Sequence, residues 1–288
     1  MSWHRILLII IIFTVTACDY AERTSKADRP VETIIRKYSV GIVSYGENEK
    51  SLQQYADFQD YLARRLNSLI ELEPAYNEVR ALQQVKSKKW DLVFAPPGLA
   101  AIAIESYNYE PLVPIEGRDQ SRSVIVSNKA APFTKRRDLI GETIALGQKG
   151  SATGYYLPIY NLYGINFSQV RYAPTPQTIL QWLEEKQVTV GALSLAEFNL
   201  LKRDYAPNTF KIVYLDQRDV PSGAILISDR IERNQQEQIK LALMETPSFI
   251  AATAGYLPNE QISDYDYLTK VIKRVQEVLE KSPMVLQK

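Results

Sequence analysis

The chain has 288 residues, a formal net charge of +1 and 45% hydrophobic residues, which is enough for one large or two medium domains. Nucleic-acid binding favours a basic face, so a net charge near zero argues against nucleic acid as a partner. The one histidine is His4 and the one cysteine is Cys18. Both lie near the N-terminus, so the rest of the chain has no zinc ligands of these types and no Ser/His/Asp or Cys/His catalytic group. We therefore expect no metal site, no cofactor and no enzyme activity; an enzyme that uses carboxylates from distant segments of the chain is the alternative.

The N-terminus has the pattern of a secretion signal. Arg5 is followed by an apolar run over 6–15, which is too short for a comfortable transmembrane helix. The run closes on Val15-Thr-Ala-Cys18, which resembles a bacterial lipobox and implies lipid attachment to Cys18. An ordinary signal peptide with an incidental cysteine is the alternative. We predict a signal peptide over 1–17 and a lipidated tether over 18–36, which place the domain outside the cytoplasm, anchored to the membrane.

The first half of the mature chain alternates short apolar runs with amphipathic ones. The predicted strands are 38–43, 69–74 and 91–95, and the predicted helices are 52–66, 77–88 and 99–104. This β-α-β-α-β order favours a parallel sheet with helices on its faces.

Two further strands follow with no long helix between them, and a second α/β series then begins. They lie at 111–115 and 122–126. The second series has predicted strands at 142–146, 170–172, 188–192 and 210–214, and helices near Leu139, from Tyr155 to Gly164, at 175–185 and at 195–201. A return strand at 224–227 and helices at 233–244 and 265–279 end the chain.

This order predicts two α/β lobes joined by paired extended segments. We expect lobe 1 to comprise 37–124 and 222–288, and lobe 2 to comprise 125–221. Ligands in such folds lie in the crevice at the carboxyl ends of the strands.

One stretch has the pattern of an anion site. The strand at 142–146 leads through glycines, Ser151 and Thr153 into a helix. Backbone N–H groups, two hydroxyls and the positive end of the helix dipole then point at one spot, which suits phosphate, phosphonate, sulfate or a carboxylate. Neither the Walker pattern nor GxGxxG is present. Ser and Thr are also ordinary N-cap residues, so simple helix capping stays the alternative.

Several ordered pieces together resemble one family, the phosphate/phosphite/phosphonate-binding subunits of bacterial ABC importers, which are type II periplasmic binding proteins. The resemblance covers roughly residues 38 to 245. The pieces that carry it are Val40-Gly-Ile-Val43, Pro74-Ala-Tyr76, Trp90-Asp-Leu-Val-Phe94, Arg122-Ser-Val-Ile-Val126, Gly150-Ser-Ala-Thr-Gly-Tyr-Tyr-Leu-Pro158 and Pro221-Ser-Gly223.

The resemblance implies a two-lobed α/β fold of mixed sheets flanked by helices, with a central cleft. It implies a monomeric solute-binding lipoprotein that binds a small tetrahedral oxyanion and delivers it to ABC permease subunits. The family's Ser-Thr-Ser-Gly turn, which holds the oxyanion, matches Ser151-Ala152-Thr153-Gly154, and a family tyrosine matches Tyr76. Tyr45 and Pro97, in two other cleft loops, complete the predicted site.

The sequence also departs from the family pattern. The middle hydroxyl of the turn is lost at Ala152, an aromatic residue is replaced at Ala95, and the family histidine falls at about Pro176. The acidic partner of aminoalkyl ligands falls at Ser194 or a neighbour, which argues against an ammonium-bearing ligand. The identity of the oxyanion, the retention of transport and the choice of inner or outer membrane stay open. The alternative function is a sensor or accessory lipoprotein that no longer serves transport.

Overall fold

The computed structural model describes residues 36–43, 52–117 and 122–281. Cys18, Tyr45, the predicted signal peptide and the predicted tether before Arg36 lie outside the described residues. The strands, in chain order, are β1 (Arg36–Val43), β2 (Ser68–Ala75), β3 (Leu92–Ala95), β4 (Tyr109–Pro114), β5 (Ser123–Asn128), β6 (Thr143–Leu146), β7 (Gln169–Tyr172), β8 (Val190–Ser194), β9 (Phe210–Leu215) and β10 (Ala224–Ser228). The α-helices are α1 (Ala56–Leu66), α2 (Glu78–Lys86), α3 (Pro97–Tyr107), α4 (Leu157–Asn161), α5 (Pro176–Glu184), α6 (Leu195–Leu201), α7 (Arg233–Met244), α8 (Ser248–Ala254) and α9 (Asp266–Lys281).

Lobe 1 is built on a five-stranded sheet with the order β2-β1-β3-β10-β4. β1 pairs in parallel with β2 and β3, while β10 is antiparallel to both β3 and β4. All residues of β3 and β10 are buried, as expected for central strands with helices on both faces. The predicted return strand is therefore confirmed, and it crosses the middle of the sheet rather than its edge.

Lobe 2 repeats this plan with the order β7-β6-β8-β5-β9. β6 pairs in parallel with β7 and β8, and β5 is antiparallel to β8 and β9. The predicted fold class, two mixed sheets flanked by helices, is confirmed. β5 begins at Ser123, two positions before the domain boundary expected from the sequence.

Two connecting segments run between the sheets, one after β4 and one before β10. In lobe 1 the Ile115 N–H donates to the Gly223 carbonyl at 3.0 Å, and in lobe 2 the Asp216 N–H donates to the Ser123 carbonyl at 2.9 Å. The Tyr265 hydroxyl donates to the Ser222 carbonyl at 2.7 Å. The two segments therefore lie side by side where they leave each sheet. Tyr265, in the C-terminal part of the chain, binds the segment before β10.

A buried apolar cluster joins the two lobes. It combines residues of α3 in lobe 1, residues that precede and begin α4 in lobe 2, and one face of α9. Its members include Leu99, Ile102, Ala152, Tyr155, Tyr156, Leu157, Leu268, Val271, Ile272 and Val275. α9 packs against both α3 and α4, so the C-terminal helix contacts both lobes.

The helix that follows the glycine-rich turn differs from the prediction. Its first turn, Ala152–Tyr156, is π-helical, and regular α-helix follows only over Leu157–Asn161. Gly164, expected to end the helix, lies beyond it with φ +85, in the left-handed region that glycine adopts freely. α8 was not expected from the sequence, because its seven residues span only two turns.

Within the described part of the chain, no helix combines the length and the apolar composition needed to span a bilayer.

Candidate functional site

The glycine-rich turn over 147–154, which we call the Ser151 turn, folds back on itself. The Ser151 hydroxyl oxygen accepts a hydrogen bond from the Gly154 N–H at 3.0 Å, and the Gly147 N–H donates to the Gly154 carbonyl at 2.8 Å. The Thr153 carbonyl accepts from the Ser123 hydroxyl at 2.7 Å. Ser151 thus caps the π-helical turn, while its own hydroxyl proton stays available for donation.

Lobe 1 lies directly on this turn. A Cβ built on Gly98, near the start of α3, would lie 2.0 Å from the Gly150 carbonyl oxygen and 2.7 Å from the Ala152 nitrogen. A Cβ built on Gly150 would lie 2.6 Å from the Cβ of Glu78. Only glycine permits this approach of one lobe to the other at these two positions.

A small cavity remains between the lobes beside the turn. Its volume is about 20 Å³, which is room for about one water molecule. Its wall includes Gly147, Gln148, Ser151, Gly154, Thr175, and the carboxylate-bearing residues Glu78 and Glu197. The Gln148 Oε1 atom is buried and has no hydrogen-bond partner among the described residues, so this wall has an acceptor that a donor would satisfy. In the closed arrangement the space beside Ser151 is too small for a tetrahedral ion.

A much larger cavity of about 680 Å³ adjoins it. Its walls come from the loops after β3, β4, β7 and β8, and from the connection before β10, so it lies at the carboxyl ends of strands of both sheets. Thr175, Pro176 and Glu197 line both cavities. This volume is within the range of small-molecule sites in proteins.

Three helices begin at the wall of the large cavity: α3 at Pro97, α5 at Pro176 and α6 after Ser194. Helix N-termini carry partial positive charge and favour anions. Proline at the first position of α3 and of α5 removes one N–H donor from each. The Thr175 and Ser194 hydroxyls cap α5 and α6.

Side-chain charge at the large cavity is negative. Glu116, Glu197 and Glu260 line it, and none of its described lining residues is Lys, Arg or His. The Glu197 carboxylate accepts from the Ser194 N–H at 2.9 Å, completing a capping box at the start of α6. Anion attraction in this cavity therefore comes from helix ends and neutral donors, not from basic side chains.

The predicted site residues do not form one cluster. Ser151 and Gly154 line the small cavity, and Pro97 lines the large one. Ala152 is buried in the cluster that joins the lobes, and Thr153 is only 8% exposed. Tyr76 is 56% exposed and is not part of the wall of either cavity.

Three phenols lie behind the Ser151 turn. The Tyr155 ring is 4.9 Å from the Tyr156 ring and 6.0 Å from the Tyr172 ring, centroid to centroid. Burial raises the pKa of Tyr155 and of Tyr156, and it raises the pKa of Tyr172 to about 12. All three side chains are therefore neutral at physiological pH and add no charge beside the turn.

The sequence patterns did not predict that two carboxylates, those of Glu78 and Glu197, line the small cavity. Glu78 comes directly after Asn77, whose side chain caps α2, and Ser194-Leu-Ala-Glu197 matches the capping-box pattern. Both patterns are visible in the sequence, but they indicate helix starts and not proximity to the Ser151 turn. Among the residues that the structure covers, no group of three or more His, Cys, Asp or Glu side chains is arranged to hold a metal ion.

The family model described as "ABC transporter, phosphonate, periplasmic substrate-binding protein" matches residues 40–257. No curated protein matched the sequence. Among solved structures, a Xanthomonas citri protein bound to chloride ion has a TM-score of 0.70 at 17% identity, covering 84% of this chain and 99% of its own. The binding protein component of an ABC phosphonate transporter from Pseudomonas aeruginosa has a TM-score of 0.67 at 14% identity, covering 86% and 88%. PhnD1 from Prochlorococcus marinus, in complex with methylphosphonate, has a TM-score of 0.64 at 16% identity, covering 86% and 98%.

Proposed function

Because the chain belongs to the family of periplasmic substrate-binding proteins of phosphonate ABC transporters, we propose that it is an extracytoplasmic lipoprotein that binds an oxyanion-bearing solute between its lobes. The family functions in solute transport and not in catalysis. The observation that carries the proposal is the cavity of about 680 Å³ between the lobes. It lies at the carboxyl ends of strands, where α/β folds bind ligands.

Neutral donors supply the affinity in this proposal. The N-termini of α3 and α5 direct partial positive charge into the large cavity. Ser151 lines the adjoining small cavity, and the Ser151 and Thr153 hydroxyls are proposed to donate to the oxyanion once the lobes open. Hydrogen bonds to a charged acceptor are stronger than neutral ones, and exclusion of water strengthens them further. The cavity is far larger than a bare ion requires, so the oxyanion is expected to carry an organic substituent.

The N-terminal sequence supports the proposed attachment, and the family supports the proposed delivery. In the proposal, lipid on Cys18 anchors the domain to a membrane outside the cytoplasm, and ABC permease subunits receive the solute from a monomeric binding protein. Pro97, Tyr76 and Tyr45 are proposed to line the ligand path when the lobes are open. Methylphosphonate, bound to PhnD1, and chloride, bound to the Xanthomonas protein, are both anions and are therefore the first test ligands.

The test is a thermal-shift and calorimetric screen with phosphate, phosphite, methylphosphonate, aminoethylphosphonate, sulfate and chloride. A ligand that binds only the folded state raises the melting temperature. For the ligand that binds best, the double variant Ser151→Ala with Thr153→Ala is expected to lose about 1–3 kcal/mol of binding free energy per hydrogen bond removed.

The matched control is Ser87→Ala, which removes an exposed hydroxyl that bonds only its own helix. It is expected to leave the affinity unchanged. Unchanged affinity in the double variant would reject the Ser151 turn as the anion site.

A second candidate function is the sensor or accessory lipoprotein. It is supported by the apolar cluster that joins the lobes, because such a core favours the closed form whether or not a ligand is present. The carboxylates at both cavities also disfavour anions. In this case no ligand of the screen raises the melting temperature, and the protein acts as the partner of a membrane sensor kinase or as a scaffold lipoprotein rather than with a permease.

A further inference from the structure

We propose that residues 257–281, which include α9, form a strap that latches the two lobes in the closed arrangement. The strap stays attached to lobe 1 and to the connecting segment before β10, and it parts from lobe 2 when the lobes open. It acts on the lobes themselves, whichever solute lies between them, so this role goes beyond the proposed function.

The strap begins at the wall of the large cavity. Leu257, Glu260 and Ser263 all line that cavity. The Leu257 N–H donates to the carbonyl of Pro114, the last residue of β4, at 2.9 Å. The start of the strap is therefore fixed to lobe 1, beside the space proposed for the solute.

The next part of the strap binds the connecting segment before β10. The Tyr265 hydroxyl donates to the Ser222 carbonyl at 2.7 Å, and the Ser263 and Ser222 hydroxyl oxygens lie 2.8 Å apart in a hydrogen bond. The Arg218 guanidinium lies 4.1 Å from the centroid of the Tyr267 ring, within the range of a cation–π interaction. The strap is thus held along one of the two segments about which the lobes turn.

α9 then crosses from lobe 1 to lobe 2. On lobe 1 it packs against α3, and Lys273 forms an ion pair with Glu105 of α3. On lobe 2 it packs against α4 and the π-helical turn before it, and Val275 and Val278 share a cavity wall with Ile159 of α4. Burial of apolar surface favours these contacts. Because they are all made within the chain, α9 favours closed lobes independently of a solute.

The hold of the strap on lobe 2 is weakest at the end of α9. A cavity of about 230 Å³ lies between Val278 and Leu279 on one side and Ile144, Leu146 and Leu162 of lobe 2 on the other. Protein interiors are close-packed, and side chains that face a void lose dispersion contacts across it. Hydrogen bonds and an ion pair hold the strap at the connecting segment and on lobe 1, so lobe 2 is the side from which it separates.

The test is Val275→Asn in the full chain, studied by hydrogen exchange and small-angle X-ray scattering without added solute. Val275 is 1% exposed, and an amide side chain there must leave water whenever α9 packs on lobe 2, which disfavours the closed contact. Exchange of the backbone amides of α4 and of Ala152–Tyr156 is expected to rise by about tenfold or more, and the radius of gyration is expected to increase. Exchange in α3 and in the central strands β3 and β8 is expected to stay as in the parent chain.

Two exposed apolar residues of α7 provide the matched control. Leu241 and Met244 are 51% and 42% exposed, so Leu241→Asn with Met244→Asn should change neither the exchange nor the radius. If Val275→Asn does not fold, Val278→Asn with Leu279→Asn at the partly buried end of the strap is the second variant, and it must show the same changes.

Unchanged exchange in α4 together with an unchanged radius, in a variant that folds, would overturn the inference. A rise of exchange in α3 instead of α4 would do the same, as would an equal rise in the sheets of both lobes, because that marks a general loss of stability. None of these outcomes depends on a bound solute, so a ligand screen that fails would reject the proposed function and leave the strap standing.

Discussion

Gly98 is the position where a single added methyl group tests the contact between the lobes. A Cβ there would lie 2.0 Å from the Gly150 carbonyl oxygen and 2.7 Å from the Ala152 nitrogen. Both are backbone atoms, which cannot swing away as a side chain does. The Gly98→Ala variant must therefore push the Ser151 turn away from α3 by about 1 Å or more to restore van der Waals separation.

Two opposing free-energy terms decide the result. Alanine is favoured over glycine inside a helix by up to about 1 kcal/mol, whereas overpacking a close contact costs typically about 1–3 kcal/mol. Position 98 is in the first turn of α3, where the helix-propensity gain is smallest. We expect a net fall in the free energy of unfolding of about 1–2 kcal/mol.

Urea unfolding measures the stability, and small-angle X-ray scattering measures the radius of gyration. The expected result is a lower unfolding midpoint together with a larger radius, because rotation about the two connecting segments relieves the clash. Gly117→Ala is the control, since among the described residues its added methyl would meet the side chain and Cα of Ser222, at 3.2 Å and 3.6 Å. Unchanged stability and radius in Gly98→Ala would refute the close contact between α3 and the turn.

Three further predictions concern the interlobe cluster, a buried phenol and the lipid anchor. Leu268→Ala on α9 truncates a fully buried member of the cluster and should lower the free energy of unfolding by about 2–5 kcal/mol in a urea titration. A loss below about 1 kcal/mol would contradict the role of α9 in holding the lobes together. Desolvation raises the pKa of Tyr109 to about 12, above an unfolded value of about 10. The contribution of this shift to the free energy of unfolding is therefore complete below pH 10 and lost as the pH rises through 12. Between pH 9 and 12 the urea midpoint should fall less in Tyr109→Phe than in the parent chain. An equal fall of the urea midpoint in both proteins would contradict this prediction. Cys18→Ser should move the protein from the membrane fraction to the soluble fraction, and retention in the membrane would contradict lipidation at that residue.

The order of the strands and of most helices could be predicted from the sequence because these elements have a clear apolar period; α8 was the exception. α6 at Leu195–Leu201 and α7 at Arg233–Met244 begin and end where the pattern indicated. Their apolar residues recur at helical spacing, and Ser194 marks the start of α6. The two-lobed fold followed from the same pattern and from the family resemblance.

The walls of the site could not be predicted from local pattern. Glu78 and Glu197 are far apart in the chain and belong to different lobes, and they share a cavity only because the lobes close at Gly98 and Gly150. Periodicity shows which face of a helix is buried, but not which helix of the other lobe it meets. The same limit applies to α9, whose apolar face was visible while its contact with both lobes was not.

The π-helical start of the helix after Ser151 has a related cause. Local propensity indicated ordinary α-helix, yet the Tyr156 N–H donates to the Ser151 carbonyl at 3.1 Å, five residues back. That spacing is characteristic of a π-helical turn, which is frequent at functional sites. All five residues of the turn are buried, and Ala152, Tyr155 and Tyr156 belong to the cluster that joins the lobes, so tertiary packing overrides local preference there.

The most direct test of the central claim is a crystal structure of the protein grown with methylphosphonate. We predict ligand density between the lobes, in the cavity of about 680 Å³ bounded by Pro97, Thr175 and Ser222, with the phosphonate oxygens toward helix N-termini. Closed lobes with that cavity free of ligand, or methylphosphonate bound only on an outer surface, would contradict the account.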